Sequence, residues 1–139
     1  RRGTYSEKIP GANLIRNEYI DDHGIIGRAV IDKLPQDRFL ETRNQVSICF
    51  EGVNLSDHIT QLKHFFEAYT ERGISFIDDL KGTFSGFVYD AKIRKIFIFN
   101  DHLSTKNIFY YYDREKGFIF SSGLNPLASL LSEQNISYS

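Results

Sequence analysis

Apolar positions recur in two rhythms along this chain, and each rhythm predicts a different kind of element. Residues 1–12, with Gly3, Pro10 and Gly11, show little periodicity and predict irregular structure. Asn13 to Ile20 and Ile25 to Ile31 predict two extended segments around the turn-rich Asp21-Asp22-His23-Gly24, an arrangement that allows a hairpin. Lys33 to Asn44 mixes charges with Pro35 and predicts a loop. Gln45 to Phe50 predicts a strand, with Val46, Ile48 and Phe50 on one face and Ser47 and Cys49 on the other. Ser56 or Asp57 then opens a helix, since either side chain can accept a hydrogen bond from the free amides of a first turn. Ile59, Leu62, Phe65, Phe66 and Tyr69 give it one apolar stripe, Gly73 ends it, and Ile74 to Leu80 predicts a shorter second helix.

Four strand-like runs follow Gly82: Thr83–Tyr89, Lys95–Asn100, Asn107–Tyr112 and Phe118–Ser121. Turn chemistry at Asp90-Ala91-Lys92 and Asp113-Arg114-Glu115-Lys116-Gly117 predicts an antiparallel meander. Ile96-Phe97-Ile98-Phe99 and Ile108-Phe109-Tyr110-Tyr111-Tyr112 do not alternate with polar residues, so both faces of those strands require cover. Leu124 to Leu131 predicts a last helix, and residues 132–139 read as a polar tail or linker. The pattern as a whole predicts an α+β fold around a central antiparallel sheet, with residues 1–131 as one domain.

Composition narrows the function classes. In 139 residues, 17 basic and 18 acidic side chains leave a formal charge of −1, which argues against nucleic-acid binding by bulk electrostatics. No apolar run approaches the ~20 residues a membrane helix needs. A single cysteine forbids an internal disulfide and fits a reducing, cytoplasmic setting. With no Met and an Arg1-Arg2-Gly3 opening, the chain reads as something other than a complete translated product. The four histidines are scattered outside any metal-binding spacing, and Cys49 lies mid-strand among apolar neighbours, as a small hydrophobe does. Asp78 and Asp79 are adjacent and do not face one another on a helix. Tyr110-Tyr111-Tyr112 lacks the basic groove of a base-stacking platform, so core packing accounts for it better. The triplets Asn54-Leu55-Ser56 and Asn135-Ile136-Ser137 match a glycosylation pattern short enough to arise by chance.

One longer text is more specific. Phe76-Ile77-Asp78-Asp79-Leu80-Lys81-Gly82-Thr83-Phe84, Val88-Tyr89-Asp90 and Ile96-Phe97-Ile98-Phe99-Asn100-Asp101-His102-Leu103 follow in order. They lead through Ile108-Phe109-Tyr110-Tyr111 and Phe118-Ile119-Phe120-Ser121-Ser122 to Leu127-Ala128-Ser129-Leu130-Leu131. This succession, about two-fifths of the chain, resembles the second half of the class II glutamine amidotransferase domain of asparagine synthetase and its relatives. Upstream, Ile26-Gly27-Arg28-Ala29-Val30-Ile31-Asp32 is similar to the family's L-G-H-x-R-L-x-I-x-D, and Phe50-Glu51-Gly52 to its F-N-G-E.

The resemblance implies a four-layer αββα sandwich. In active members an N-terminal Cys attacks the glutamine amide with its own α-amino group as base, and an Asn-Gly pair holds the oxyanion. Ammonia then passes to an ATP-using synthetase domain. Arg28 matches the arginine that binds the substrate carboxylate, Gly52 the glycine of the Asn-Gly pair, and Ser56-Asp57 the motif that contacts the substrate ammonium. Asp57 follows Glu51 by only six positions, a shorter interval than the family's, and helix capping is its competing role.

Other positions depart from the family pattern. Glu51 stands where the oxyanion donor Asn belongs, Val53 replaces the Glu after the glycine, and Asn100, Ser104 and Gly123 replace an Arg, a Gly and a Glu. A carboxylate offers an oxyanion no donor, and loss of one such donor costs about 2.7–4 kcal/mol in barrier height. The resemblance therefore implies a domain of an amide ligase with no catalytic residue of its own, kept as a scaffold for a synthetase domain. Three substrate-binding positions remain: Arg28, Gly52 and Asp57. No metal or cofactor is expected in this domain, since ATP and Mg belong to the synthetase domain, and the family allows a homodimer. A fragment of an active glutaminase lacking its Cys, and a stand-alone binding module, are the competing readings.

Overall fold

The computed structural model describes the backbone of residues 2–9, 12–21, 24–31, 38–115 and 117–133, and the side chains of 39–115, 117–129, 131 and 132. Strands β1 (Arg2–Ile9), β2 (Ala12–Asp21) and β3 (Gly24–Ile31) form one antiparallel sheet in that order. The hairpin expected from Asn13 to Ile31 is present, with Arg28 opposite Asn17 and Ile20 opposite Ile25. Its turn at Asp22-His23 lies outside the described residues. The irregular opening expected for residues 1–12 is corrected to strand over Arg2–Ile9, which pairs along its length with β2.

A second sheet has four antiparallel strands in sequence order: β4 (Arg38–Arg43), β5 (Val46–Asn54), β6 (Gly82–Asp90) and β7 (Lys95–Asn100). The loop expected up to Asn44 is thus strand over its last part, and residues 32–37 lie outside the described residues. A two-residue turn joins β4 to β5, with Asn44 at φ +48° and Gln45 at φ +64°. These values suit the right-handed twist of a tight hairpin. Beneath the turn, the Thr42 and Ser47 hydroxyls meet at 2.7 Å, so two buried polar groups satisfy each other.

Helix α1 (Leu62–Arg72) and a 3-10 helix (Gly73–Asp79) cover one face of this sheet. Ile59, Phe65, Phe66 and Tyr69, the predicted stripe, are buried with Val46, Ile48, Phe50, Phe84, Val88 and Phe99 from the strands, and Leu62 packs against their edge. Phe76, fully buried, is the hub: its ring stands edge-on to Phe65, Tyr69 and Phe99 at 6.0–6.3 Å. Tyr69 also donates a 2.9 Å hydrogen bond to Asp90 Oδ2, tying α1 to the end of β6. The helix begins later than expected. Ser56 Oγ accepts from the amides of His58 and Ile59, but that turn precedes the helix, whose cap is Gln61.

Among the described residues, strands β8 (Phe109–Asp113) and β9 (Gly117–Ser121) pair only with each other, so the expected continuous meander is broken after β7. Helix α2 (Leu124–Glu133) lays Leu127 and Leu131 against Phe109, Tyr111 and Ile119 on one face of this hairpin. From its other face Phe120 meets Phe87 of β6 edge-on at 5.1 Å. Tyr110 and Tyr112, on that same face, are 70% and 65% exposed, so the cover expected on both sides of β8 exists on one side only. Ser132 and Glu133, expected in a polar tail, continue α2; residues 134–139 lie outside the described residues. The fold is α+β with antiparallel sheets.

Candidate functional site

The end of β5 and the start of β6 build the site. Gly52 is buried opposite Phe84 at φ +139°, a conformation side chains disfavour. A Cβ there would lie 2.1 Å from the Thr83 carbonyl oxygen and 2.7 Å from the Phe84 Cα. The glycine thus answers a close approach of two backbones. Next to it Glu51, half-buried, faces Ser85 across the ladder, and its Oε1 accepts from Lys106 Nζ at 3.4 Å.

Lys106 is held by the segment that turns the chain out of β7. Asp101, buried at its start, accepts through Oδ1 from the amides of Leu103 (2.9 Å) and Thr105 (3.3 Å). Its Oδ2 accepts from the Thr105 hydroxyl and the Phe84 amide (3.1 Å), while its own amide donates to the Phe84 carbonyl at 2.9 Å. Led by the Thr105 hydroxyl, these donors bring the carboxyl down to about 2. One side chain thereby fixes the loop to β6 and aims its lysine at Glu51.

On the other side of Gly52, Asn54 organises the exit from β5. Its Nδ2 donates to the Ile59 carbonyl at 2.6 Å, and its Oδ1 accepts from the amides of Ser56 (3.0 Å) and Lys81 (3.3 Å). Leu55 adds a 2.7 Å backbone bond to Lys81. Asp57 lies exposed beyond this knot, and neither it nor Ser56 caps α1, which begins at Leu62 behind Gln61. The structure therefore joins Glu51, Gly52 and Lys106, and leaves Asp57 on a solvent-facing turn. Arg28 belongs to β3, opposite Asn17, and its side chain lies outside the described residues. Sequence reasoning did not single out Lys106, and it met Asn54 only as the first residue of the Asn54-Leu55-Ser56 triplet. For Asn54 the local signal is an Asn two residues before a Ser at a strand end, the pattern of an Asx turn. Among the described residues no group of three or more His, Cys, Asp or Glu could hold a metal ion. Asp79, adjacent to Asp78, is taken by Arg72 at 2.5 Å.

A family model for the glutamine amidotransferase domain matches residues 41–129, which takes in the four-stranded sheet from the middle of β4 onward, α1, the hairpin and most of α2. The chain belongs to the glutamine amidotransferase domain family. This amidotransferase domain is 36% identical over 61 residues to "Asparagine synthetase [glutamine-hydrolyzing] 2" of Bacillus subtilis (strain 168). The similarity takes in 44% of the chain and 8% of that relative, so the chain spans a small part of the curated protein it matches. No solved structure matches it. Among the described residues no helix is long and apolar enough to cross a membrane.

Proposed function

We propose that this is the amidotransferase-like domain of an asparagine-synthetase-related, ATP-dependent amide ligase, and that it does not hydrolyse glutamine. The observation that carries the reading is Glu51. Its carboxylate stands beside Gly52 and is held against Lys106, at the position that the family resemblance gives to a neutral amide donor. An anionic acceptor there opposes the developing oxyanion instead of stabilising it. In this reading the domain packs against and orders a synthetase domain, which alone uses ATP and Mg, in a cytoplasmic protein that can form a homodimer. Arg28, Gly52 and Asp57 are the positions where a glutamine-like ligand would be held. The order helix α1, four-stranded sheet, β8–β9 hairpin, helix α2 supports a four-layer αββα arrangement for the fold.

Gly52 favours a second reading, an active glutaminase domain. The oxyanion-site glycine is kept in a backbone approach that excludes every side chain. Glutamine hydrolysis by the full-length natural protein, with and without ATP, separates the two. The scaffold reading expects no ammonia from glutamine and amide formation fed by free ammonia or an amine. Glutamine-derived ammonia that disappears when an N-terminal Cys is replaced would overturn it.

A further inference from the structure

At the end of β5 opposite Gly52, two turns and helix α1 border a groove of about 380 Å³. The β4–β5 and β6–β7 turns form its sheet wall, joined by a 3.0 Å bond from the Ala91 amide to the Gln45 carbonyl. Arg43 and Lys92 are the charged residues of that wall. Glu67 and Glu71 line the wall made by α1, with Lys63 one turn before them. Val46 and Phe66, both buried, supply the apolar base. The bond from the Tyr69 hydroxyl to Asp90 holds helix and sheet at a fixed spacing beside it.

The two walls carry complementary charge and do not close on each other. Glu67 and Glu71 stand four positions apart on α1, where like charges repel. Among the described residues no ion pair joins either of them to Arg43 or Lys92. Arg43 instead lays its guanidinium over the Phe66 ring, 5.0 Å from the centroid. Stacking covers one face of the guanidinium and leaves its planar edge, with a fork of N–H donors, for a carboxylate.

We propose that this groove binds a free α-amino acid with an apolar side chain. The carboxylate sits on Arg43 and Lys92, the ammonium on Glu67 and Glu71, and the side chain on Phe66 and Val46. A zwitterion answers both walls at once. A simple anion would leave the glutamates repelling each other, and a simple cation would leave Arg43 and Lys92 unanswered. The volume falls in the range of small-molecule pockets. All four charged groups are exposed, so water competes for each contact and the site fills only at millimolar ligand. It stands at the far end of β5 from Gly52, and it does not depend on whether glutamine is hydrolysed there.

Calorimetric titration of the full-length natural protein with L-leucine tests this. The expected result is a site with a Kd of about 1 mM. Isocaproate, which lacks the ammonium, and isoamylamine, which lacks the carboxylate, should each bind about tenfold more weakly or worse. Glu67→Gln combined with Glu71→Gln should weaken leucine binding about tenfold, and so should Arg43→Gln. The double variant removes a like-charge repulsion from an exposed helix face, so its thermal midpoint should not fall. Leucine binding that is unchanged in either variant belongs to another part of the protein and sinks the idea. Equal binding of leucine and either analogue, or no leucine binding up to about 10 mM, would overturn it as well.

Discussion

At Gly52 an added methyl group meets main chain on the neighbouring strand, not a side chain that can swing away. Gly52→Ala should therefore cost about 3 kcal/mol, from steric overlap together with strained φ, read as a lower midpoint in urea unfolding. A second residue-scale prediction concerns Asp101. Its carboxyl is more acidic folded than unfolded, so its stabilising contribution is complete above the ordinary value of 3.8. The contribution fades as the pH falls through about 2. Asp101→Asn should flatten the dependence of stability on pH between about 4 and 2, because the amide group confronts donors where the carboxylate accepted them. Of the site itself, Glu51-Gly52 was legible as a short text. Lys106 was not, because it comes from 55 positions downstream and only the Asp101 turn brings it back.

The elements divide in the same way between periodic and local causes. Phe65, Phe66 and Tyr69 announced α1 because burial against a sheet demands a stripe at helical spacing. Its start was misread because Ser56 and Asp57 are good capping types, whereas the Asn54 side chain holds the Ile59 carbonyl in a turn that must finish before a helix can begin. Strand β4 was missed because it is an edge strand carrying Arg38, Glu41 and Arg43, and its turn uses Gln45 rather than glycine at a positive φ. The meander failed at Asp101, whose ring of donors turns the chain away before β8 can pair with β7. For α1 the tie to β6 has a measurable signature. Burial, reinforced by the bond to Asp90, pushes the Tyr69 hydroxyl up to about 12 from 10.0. Its contribution is thus full below pH 10 and is lost as the pH rises through 12. Tyr69→Phe should remove that alkaline slope and cost about 1–3 kcal/mol at neutral pH, since Asp90 Oδ2 loses its donor in a buried place. Phe76→Ala should cost more, about 3–5 kcal/mol by thermal or urea unfolding, because the cavity opens between both helical segments and the sheet.

Across the whole molecule, the β8–β9 hairpin and α2 form a small unit whose ring contact to the four-stranded sheet is Phe120 on Phe87. Phe120→Ala should quicken amide exchange in β8 and β9 while leaving β5 and β6, the centre of the larger sheet, unchanged. An equal loss in both would show that they unfold as one body. The face around Phe120 has a further consequence, for behaviour in concentrated solution. Tyr110, Tyr112 and Phe118 present 70%, 65% and 40% of their surface to water on a hairpin whose outer edges, among the described residues, pair with no further strand. Sulfate strengthens apolar burial, and a nearly neutral protein has little net repulsion to resist it. The isolated domain should salt out early in ammonium sulfate, and Tyr110→Lys should postpone precipitation without moving the unfolding midpoint.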